Sequence, residues 1–319
     1  MKKLVQILCA VVFFSSTVHA DAPNIKVVGS STVYPFTTVV AERFGKEYGF
    51  PTPIVESTGT GGGMKLFCAG YGMQDPSVTN ASRAIKEKEK TLCEKNGVSW
   101  IELTVGNDGI AFANSVQGPV MDISKEQLWL AMAELGPKPA KWSDIDPSLP
   151  DQKINVMIPP PTSGTRDAWN SLVMEKGCPK EIKDKHGKKA CSNMREDGAM
   201  IEAGENDTLL IQKLVADPKY FAIFGYSYLD SSRDKIKAMK IEGKEISLES
   251  IQDYSYPIAR PLFIYIKKEH FELVPGLEKF MNTYVSKKAM GKRGYLMDLG
   301  LVPLDDDTYK EMVKRTKTK

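Results

Sequence analysis

Val28-Gly29-Ser30-Ser31-Thr32-Val33-Tyr34-Pro35 carries the chain from a strand into a helix. Ile25-Lys26-Val27-Val28 reads as a short strand, and Gly29-Ser30-Ser31-Thr32 breaks it. Pro35 then precedes an apolar rhythm through Val39, Val40 and Phe44 that predicts a helix. Outward from this stretch the same unit returns twice. Residues 52–56 read as a strand, Ser57-Thr58-Gly59-Thr60-Gly61-Gly62-Gly63 as a flexible turn, and a helix is expected from about Met64. A third strand ends near Thr79, followed by Asn80-Ala81-Ser82-Arg83 and a charged helix over 85–96. Three successive units of strand, polar turn and helix predict an α/β fold whose turns collect along one edge of the sheet.

Farther along, residues 100–113 suggest two strand pieces broken at Gly106-Asn107-Asp108-Gly109. Ser124 opens a helix to Ala133, a proline-rich loop carrying Trp142 covers 136–150, and 154–158 form a strand. That strand runs into Pro159-Pro160-Pro161-Thr162-Ser163-Gly164-Thr165-Arg166, after which 167–174 should be helical. A helix over 208–216, strands over 221–224 and 261–266, and a helix over 277–286 complete the pattern; the lysine-rich tail after Tyr309 reads as a solvated end.

Lys2 and Lys3, a mostly apolar run over 4–18, and Val18-His19-Ala20 make residues 1–20 a secretory signal peptide. The run is too short and too interrupted for a membrane span. An anchor on Cys9 would leave only eight residues ahead of the modified cysteine. Cleavage after Ala20 is expected to release a soluble chain into the periplasm. The whole chain holds 43 basic and 40 acidic residues, and the leader removes two lysines and no acid. The near-neutral remainder has no electrostatic reason to bind nucleic acid. Of three histidines only His186 and His270 survive cleavage, each among lysines or acids rather than beside a second ligand. Zinc binding and histidine-based catalysis are therefore poorly supplied, and no metal, cofactor or enzymatic activity is expected.

Cys68, Cys93, Cys178 and Cys191 remain after cleavage. An even number in an exported chain predicts two disulfides, with three pairings formally possible. The separations favour Cys68 with Cys93 and Cys178 with Cys191, the second stapling the lysine-rich excursion over 179–190. Metal binding by the four is the weaker alternative, since no pair has the CxxC spacing.

Four polar turns stand out: 29–32, 57–63, 80–83 and 162–166. Each follows a strand pattern and precedes a helical one. A helix start leaves backbone N–H groups unpaired and favours an anion. One Ser/Thr turn of this kind is an ordinary cap. Four together, two of them ending in arginine, point to an oxyanion, because the guanidinium fork matches its oxygens. The glycine run is no P-loop, since Met64-Lys65-Leu66 lacks the Lys-Ser/Thr pair, and no GxSxG pattern or serine with an obvious histidine base is present.

The strings Val28-Gly29-Ser30-Ser31-Thr32-Val33-Tyr34-Pro35, Gly59-Thr60-Gly61-Gly62-Gly63, Asn80-Ala81-Ser82-Arg83-Ala84-Ile85 and Thr162-Ser163-Gly164-Thr165-Arg166-Asp167 together resemble the PstS family, the phosphate-binding proteins of the Pst ABC transporter. Asp108-Gly109-Ile110-Ala111, Trp142-Ser143-Asp144-Ile145 and Ile223-Phe224-Gly225-Tyr226-Ser227-Tyr228-Leu229 support it, so the likeness covers nearly all of the mature chain in order. It implies a two-lobed type II periplasmic binding protein fold with a ligand cleft between lobes. Lobe 1 would comprise residues 21–105 and 257–319, and lobe 2 residues 106–256. The resemblance implies a monomer that captures inorganic phosphate and delivers it to a membrane permease of an ABC transporter. It places ligand donors at Ser31 and Thr32, Thr60, Ser82 and Arg83 on lobe 1, and at Ser163, Gly164, Thr165 and Arg166 on lobe 2.

Two departures bear on the ligand. Many relatives have an arginine and an aspartate just before the SGT turn, where this chain has Pro159 and Pro161, and an acid where it has Ser82. Monohydrogen phosphate carries a proton that needs an acceptor, whereas sulfate carries none. Asp108, Glu56 and Glu202 are the acids that another loop could supply. Sulfate or another tetrahedral oxyanion, a secreted phosphatase-like relative and a structural surface protein are the competing functions. Glu202 or Glu205 orienting Arg166 competes with a plain helix start. Tyr34, Trp142 and Tyr226 read as core or cleft wall.

Overall fold

The apolar residues around Val27 and Val28 pair as parallel sheet. In the computed structural model, which describes residues 23–161, 163–204 and 207–317, β1 (Lys26–Gly29) lies between β2 (Ile54–Ser57) and β3 (Val78–Ala81) and runs parallel to both. The expected signal peptide over residues 1–20, Thr162 and Glu205 fall outside the described residues. Helices α1 (Tyr34–Tyr48), α2 (Gly59–Phe67) and α3 (Glu87–Lys95) follow the three strands in turn. Pro35 sits in the first turn of α1, where its missing N–H is no loss, and Gly49 closes the helix in the left-handed region at φ 69°.

The glycine run is not the flexible turn expected from sequence: Gly59 to Gly63 are the first turns of α2. Each helical glycine costs about 1 kcal/mol relative to alanine. Close packing on the sheet offsets this, because a Cβ on Gly63 would lie 2.5 Å from Gly29 Cα.

A second correction concerns β4 (Trp100–Ser115), which is one long strand rather than two pieces. Beyond it come β5 (Asp122–Ile123), α4 (Lys125–Met132), β6 (Val156–Ile158) and α5 (Gly164–Trp169). Ser124 caps α4, its Oγ accepting from Gln127 N–H. A π-helical segment (Asn170–Met174) continues α5. Next are β7 (Met200–Glu202), β8 (Phe221–Gly225), β9 (Ile236–Ala238) and β10 (Lys240–Ile241), which pairs with β5. Finally β11 (Ala259–Lys267) returns antiparallel to both β3 and β4. The main sheet runs β2-β1-β3-β11-β4-β8-β6-β7, with β9 also on β4.

The apolar clusters divide along this sheet. Val27, Phe44, Leu103, Ile264 and Phe280 belong to one, and Phe112, Trp129, Trp142, Trp169 and Phe221 to another. A small third cluster holds Met64, Phe67 and Tyr265 beside the Cys68–Cys93 disulfide. The Cys178–Cys191 bond is also formed. The first two clusters change over between Val105 and Ile110 on β4 and between Ile258 and Leu262 at β11. At that changeover Asp108 faces Arg260 and Gly109 faces Ala259 across the ladder.

The C-terminal tail is likewise ordered where a solvated end was expected. Residues Asp306–Arg315 form a helix capped by Asp305, with Met312 buried and its Sδ accepting from Thr104 N–H at 3.1 Å. Charged residues around a narrow apolar stripe, Tyr309 and Met312, hid its docking face.

Beneath the loop over 70–77 lie two buried titratable side chains, Lys267 and His270. Lys267 Nζ donates to Gly70 C=O, and burial pulls its pKa down to about 8. His270 Nε2 donates to Tyr71 C=O at 3.1 Å, which leaves Nδ1 to accept from Ser77 Oγ at 2.9 Å. Burial, then the Lys267 charge, lowers the His270 pKa. The neutral ring is thus favoured in the fold. Its contribution is fully present above the unfolded value of about 6.5 and is lost as pH falls through the lowered folded value. The urea midpoint should therefore drop between pH values of about 7.5 and 5.5. His270→Gln should lower the midpoint at the higher pH and flatten the dependence; identical slopes in both proteins would place the acid sensitivity elsewhere.

Candidate functional site

Parallel strands deliver their following turns to one edge, so the turns after β1, β2 and β3 meet there. Backbone bonds tie them together: Ser30 N–H to Asn80 C=O at 3.0 Å, and Thr58 N–H to Gly29 C=O at 2.9 Å.

A cleft of about 250 Å³ opens where the first turn meets the start of α5. Thr32, Asp108, Pro159, Ser163, Gly164 and Thr165 are among its walls. The Thr32 hydroxyl donates to Gly164 C=O at 3.2 Å across it. A Cβ on Gly164 would lie 2.6 Å from Thr32 Cα and 3.3 Å from Ser31 O, so this approach requires glycine. Ser163 Oγ accepts from Thr165 N–H at 3.2 Å and caps α5, which starts at Gly164 rather than at the Asp167 expected from sequence. The leading amides of the helical run that starts at Gly164 have no acceptors within it and carry its positive end to the cleft.

Thr60, Ser82 and Arg83 gather separately beside the start of α2. Thr60 Oγ1 accepts from Ser82 N–H at 3.1 Å and lies 3.1 Å from Ser82 Oγ. The Arg83 fork is taken by Glu89, with bonds of 2.8 and 2.7 Å. Burial pushes the Glu89 carboxyl up, but the bonds from Arg83 and from Lys86 N–H outweigh it and hold the pKa low. Bidentate donation by Arg83 thus goes to the protein's own carboxylate.

Arg166 is buried at 7% exposure and also turns from the cleft wall. Its Nη1 donates to Pro159 C=O at 3.1 Å and its Nε to Asn170 Oδ1 at 3.3 Å. Burial lowers its pKa, and the charge of Glu202 opposes that shift.

Of the three acids considered as acceptors, Asp108 stands in the cleft wall, while Glu56 and Glu202 are exposed on β2 and β7. Burial pushes the Asp108 carboxyl up and Arg260 pulls it down, its Nε 3.3 Å from Oδ2. Arg260 was missed in sequence because Ala259-Arg260-Pro261 borders an apolar strand. The available signal was a charge inside each of two largely buried strands, Asp108 in the middle of β4 and Arg260 near the start of β11. Trp142 and Tyr226 are buried, and Tyr34 is exposed at 36%.

A family model described as a PBP superfamily domain matches residues 15–288. Protein SphX of Synechococcus elongatus is 30% identical over 90% of this chain and 79% of its own. The phosphate-binding protein PstS of Staphylococcus saprophyticus is 29% identical over 90% of this chain and 82% of its own. The crystal structure of a possible phosphate binding protein from Planctomyces limnophilus superposes with a TM-score of 0.78 at 28% identity, covering 93% of this chain and 98% of that one. With a cleft walled by the first polar turn and the SGT helix start, the chain belongs to the PBP superfamily and, within it, to the PstS family.

Proposed function

We propose that this protein captures inorganic phosphate in the cleft between its lobes and delivers it to the membrane permease of an ABC transporter. One observation carries the reading: Thr32 and the Ser163–Thr165 helix start meet at a cleft that Asp108 also lines. The lobes are residues 21–105 with 257–319, and residues 106–256, and the protein works as a periplasmic monomer. Thr32 with Ser31 supplies donors from one side, and Ser163, Gly164 and Thr165 from the other. Thr60 and Ser82 add hydroxyls at the start of α2, and Arg83 and Arg166 contribute positive potential from behind the turns.

An anion held from both sides favours the closed form by the affinity it gains there over the open one. Capture needs no bond made or broken. Asp108 supplies the acceptor that Ser82, Pro159 and Pro161 do not. Monohydrogen phosphate donates its proton to that carboxylate, whereas sulfate meets a buried negative charge with nothing to donate. A buried polar group left unpaired costs about 1–3 kcal/mol, about one to two decades in affinity.

Calorimetry on protein stripped of ligand by unfolding and refolding should show one-to-one phosphate heat and little sulfate response near neutral pH. Equal or tighter sulfate binding would overturn phosphate as the ligand. Asp108→Asn should weaken phosphate about 10- to 100-fold and narrow the gap to sulfate.

Closure has its own test at Gly164. An added methyl would meet Thr32 Cα at 2.6 Å, so Gly164→Ala should fold, hold the lobes apart and lose phosphate binding. Small-angle scattering that finds the variant as compact as wild type with phosphate would reject the closure role.

A further inference from the structure

Arg260 lies opposite Asp108 in the ladder that joins the two lobes, and it is buried at 7% exposure. Its guanidinium reaches three separate parts of the fold. Nε faces Asp108 Oδ2 at 3.3 Å on β4, and Nη1 donates to Ser171 Oγ at 3.1 Å in the π-helical segment. Nη2 donates to Thr32 Oγ1 at 2.9 Å in the first turn and lies 3.6 Å from Asp167 Oδ2 on α5. Thr32 and Asp108 are cleft walls; Ser171 and Asp167 are not among them.

These contacts determine what the cleft walls can offer. A hydroxyl has one proton and two lone pairs. Because Arg260 donates to Thr32 Oγ1, the Thr32 proton is free to point at Gly164 C=O, the bond that crosses the cleft. At Asp108 burial outweighs the cation and leaves the pKa raised, so Arg260, 3.3 Å away, is the group that opposes protonation and favours the acceptor form over a neutral carboxyl that would also donate. One planar fork thus orients a lobe 1 hydroxyl, a lobe 2 helix and the carboxylate at the strand crossing.

We infer that Arg260 is the positioning residue of the anion site: it holds Thr32 and Asp108 in their closed-state roles and so sets both closure and the preference for phosphate over sulfate. This inference rests on the phosphate-capture reading above. It assigns Arg260 an action through Thr32 and Asp108 rather than a bond of its own to the anion. A lysine at this position keeps the charge but cannot span Asp108, Ser171 and Thr32 together.

The test is a calorimetric series on refolded protein, with inorganic phosphate and sulfate as probes. Wild type, Arg260→Lys, Arg260→Met, Thr32→Val, Ser171→Ala and the double variant Thr32→Val/Arg260→Met are compared, with circular dichroism confirming fold. Arg260→Met should lose about 100-fold in phosphate affinity and Arg260→Lys about 10-fold, each with a smaller ratio of phosphate to sulfate affinity. The double variant should lose clearly less than the product of its two single losses, because both changes remove one connected unit. Multiplying losses would show Arg260 acting independently of Thr32 and overturn the inference. So would folded Arg260 variants that bind phosphate within about two-fold of wild type. If the Arg260 variants fail to fold, Ser171→Ala decides, since it removes an anchor of the fork outside the cleft. A loss of about three-fold or more supports the inference, and no loss overturns it. Failure of wild type to bind phosphate would instead remove the capture reading on which all of this rests.

Discussion

The chain passes between the two halves of the sheet along β4 and β11, which pair antiparallel, and the contacts across the cleft depend on that pairing. β4 enters with its first residues against β11 and leaves with its last against β8 and β9. A strand shared in this way is stiff along its length yet can twist at the crossing, where Gly106 and Gly109 face Leu262 and Ala259. Added methyls there would collide with Leu301 and Ile251, so each glycine also seats a side chain from a flanking segment. The crossing is therefore both a joint and a packing surface, and the charged pair of Asp108 and Arg260 sits on it.

A buried ion pair is weak support for stability, since desolvation consumes much of the Coulomb gain, but removing one partner strands the other. That asymmetry suits a site whose geometry matters more than its contribution to folding. The Arg83–Glu89 pair is a contrast. It lies beside α3, satisfies the helix start through Lys86 N–H, and leaves its guanidinium 32% exposed, a local arrangement that fixes one turn of one lobe.

What could be read from the sequence was what local pattern encodes. Strand-turn-helix units, the helix start at Ser124 and the polar turn that opens at Gly29 are written in adjacent residues. The preference for Cys68 with Cys93 and Cys178 with Cys191 followed from short separations. Long-range pairing left much less trace. Arg260 and Asp108 are 152 positions apart; Asp108 belongs to a string of the family resemblance and is among the acids considered, whereas nothing around Arg260 marks it. The glycines of α2 carried the signature of a flexible loop because their fitness for a helix comes from β1 and β3 pressing close, a tertiary effect that outweighs helix propensity. The docked C-terminal helix was hidden for a similar reason, its apolar face reduced to Tyr309 and Met312 among charged residues. Arg83 and Arg166 were legible as arginines beside anion turns, but the partners that hold them, Glu89 and the Pro159 carbonyl, were not.

The chain leaves the crossing at Gly109 and re-enters it at Ala259, residues that face one another in the ladder. The whole intervening segment thus begins and ends at a single point on the sheet. A segment with adjoining ends can be inserted, lengthened or exchanged without rerouting the host chain. In evolutionary terms it resembles a graft on a stem. The outer surfaces of graft and stock are free to diverge under separate pressures, while the few residues at the graft union, Asp108 and Arg260 among them, must change together or not at all.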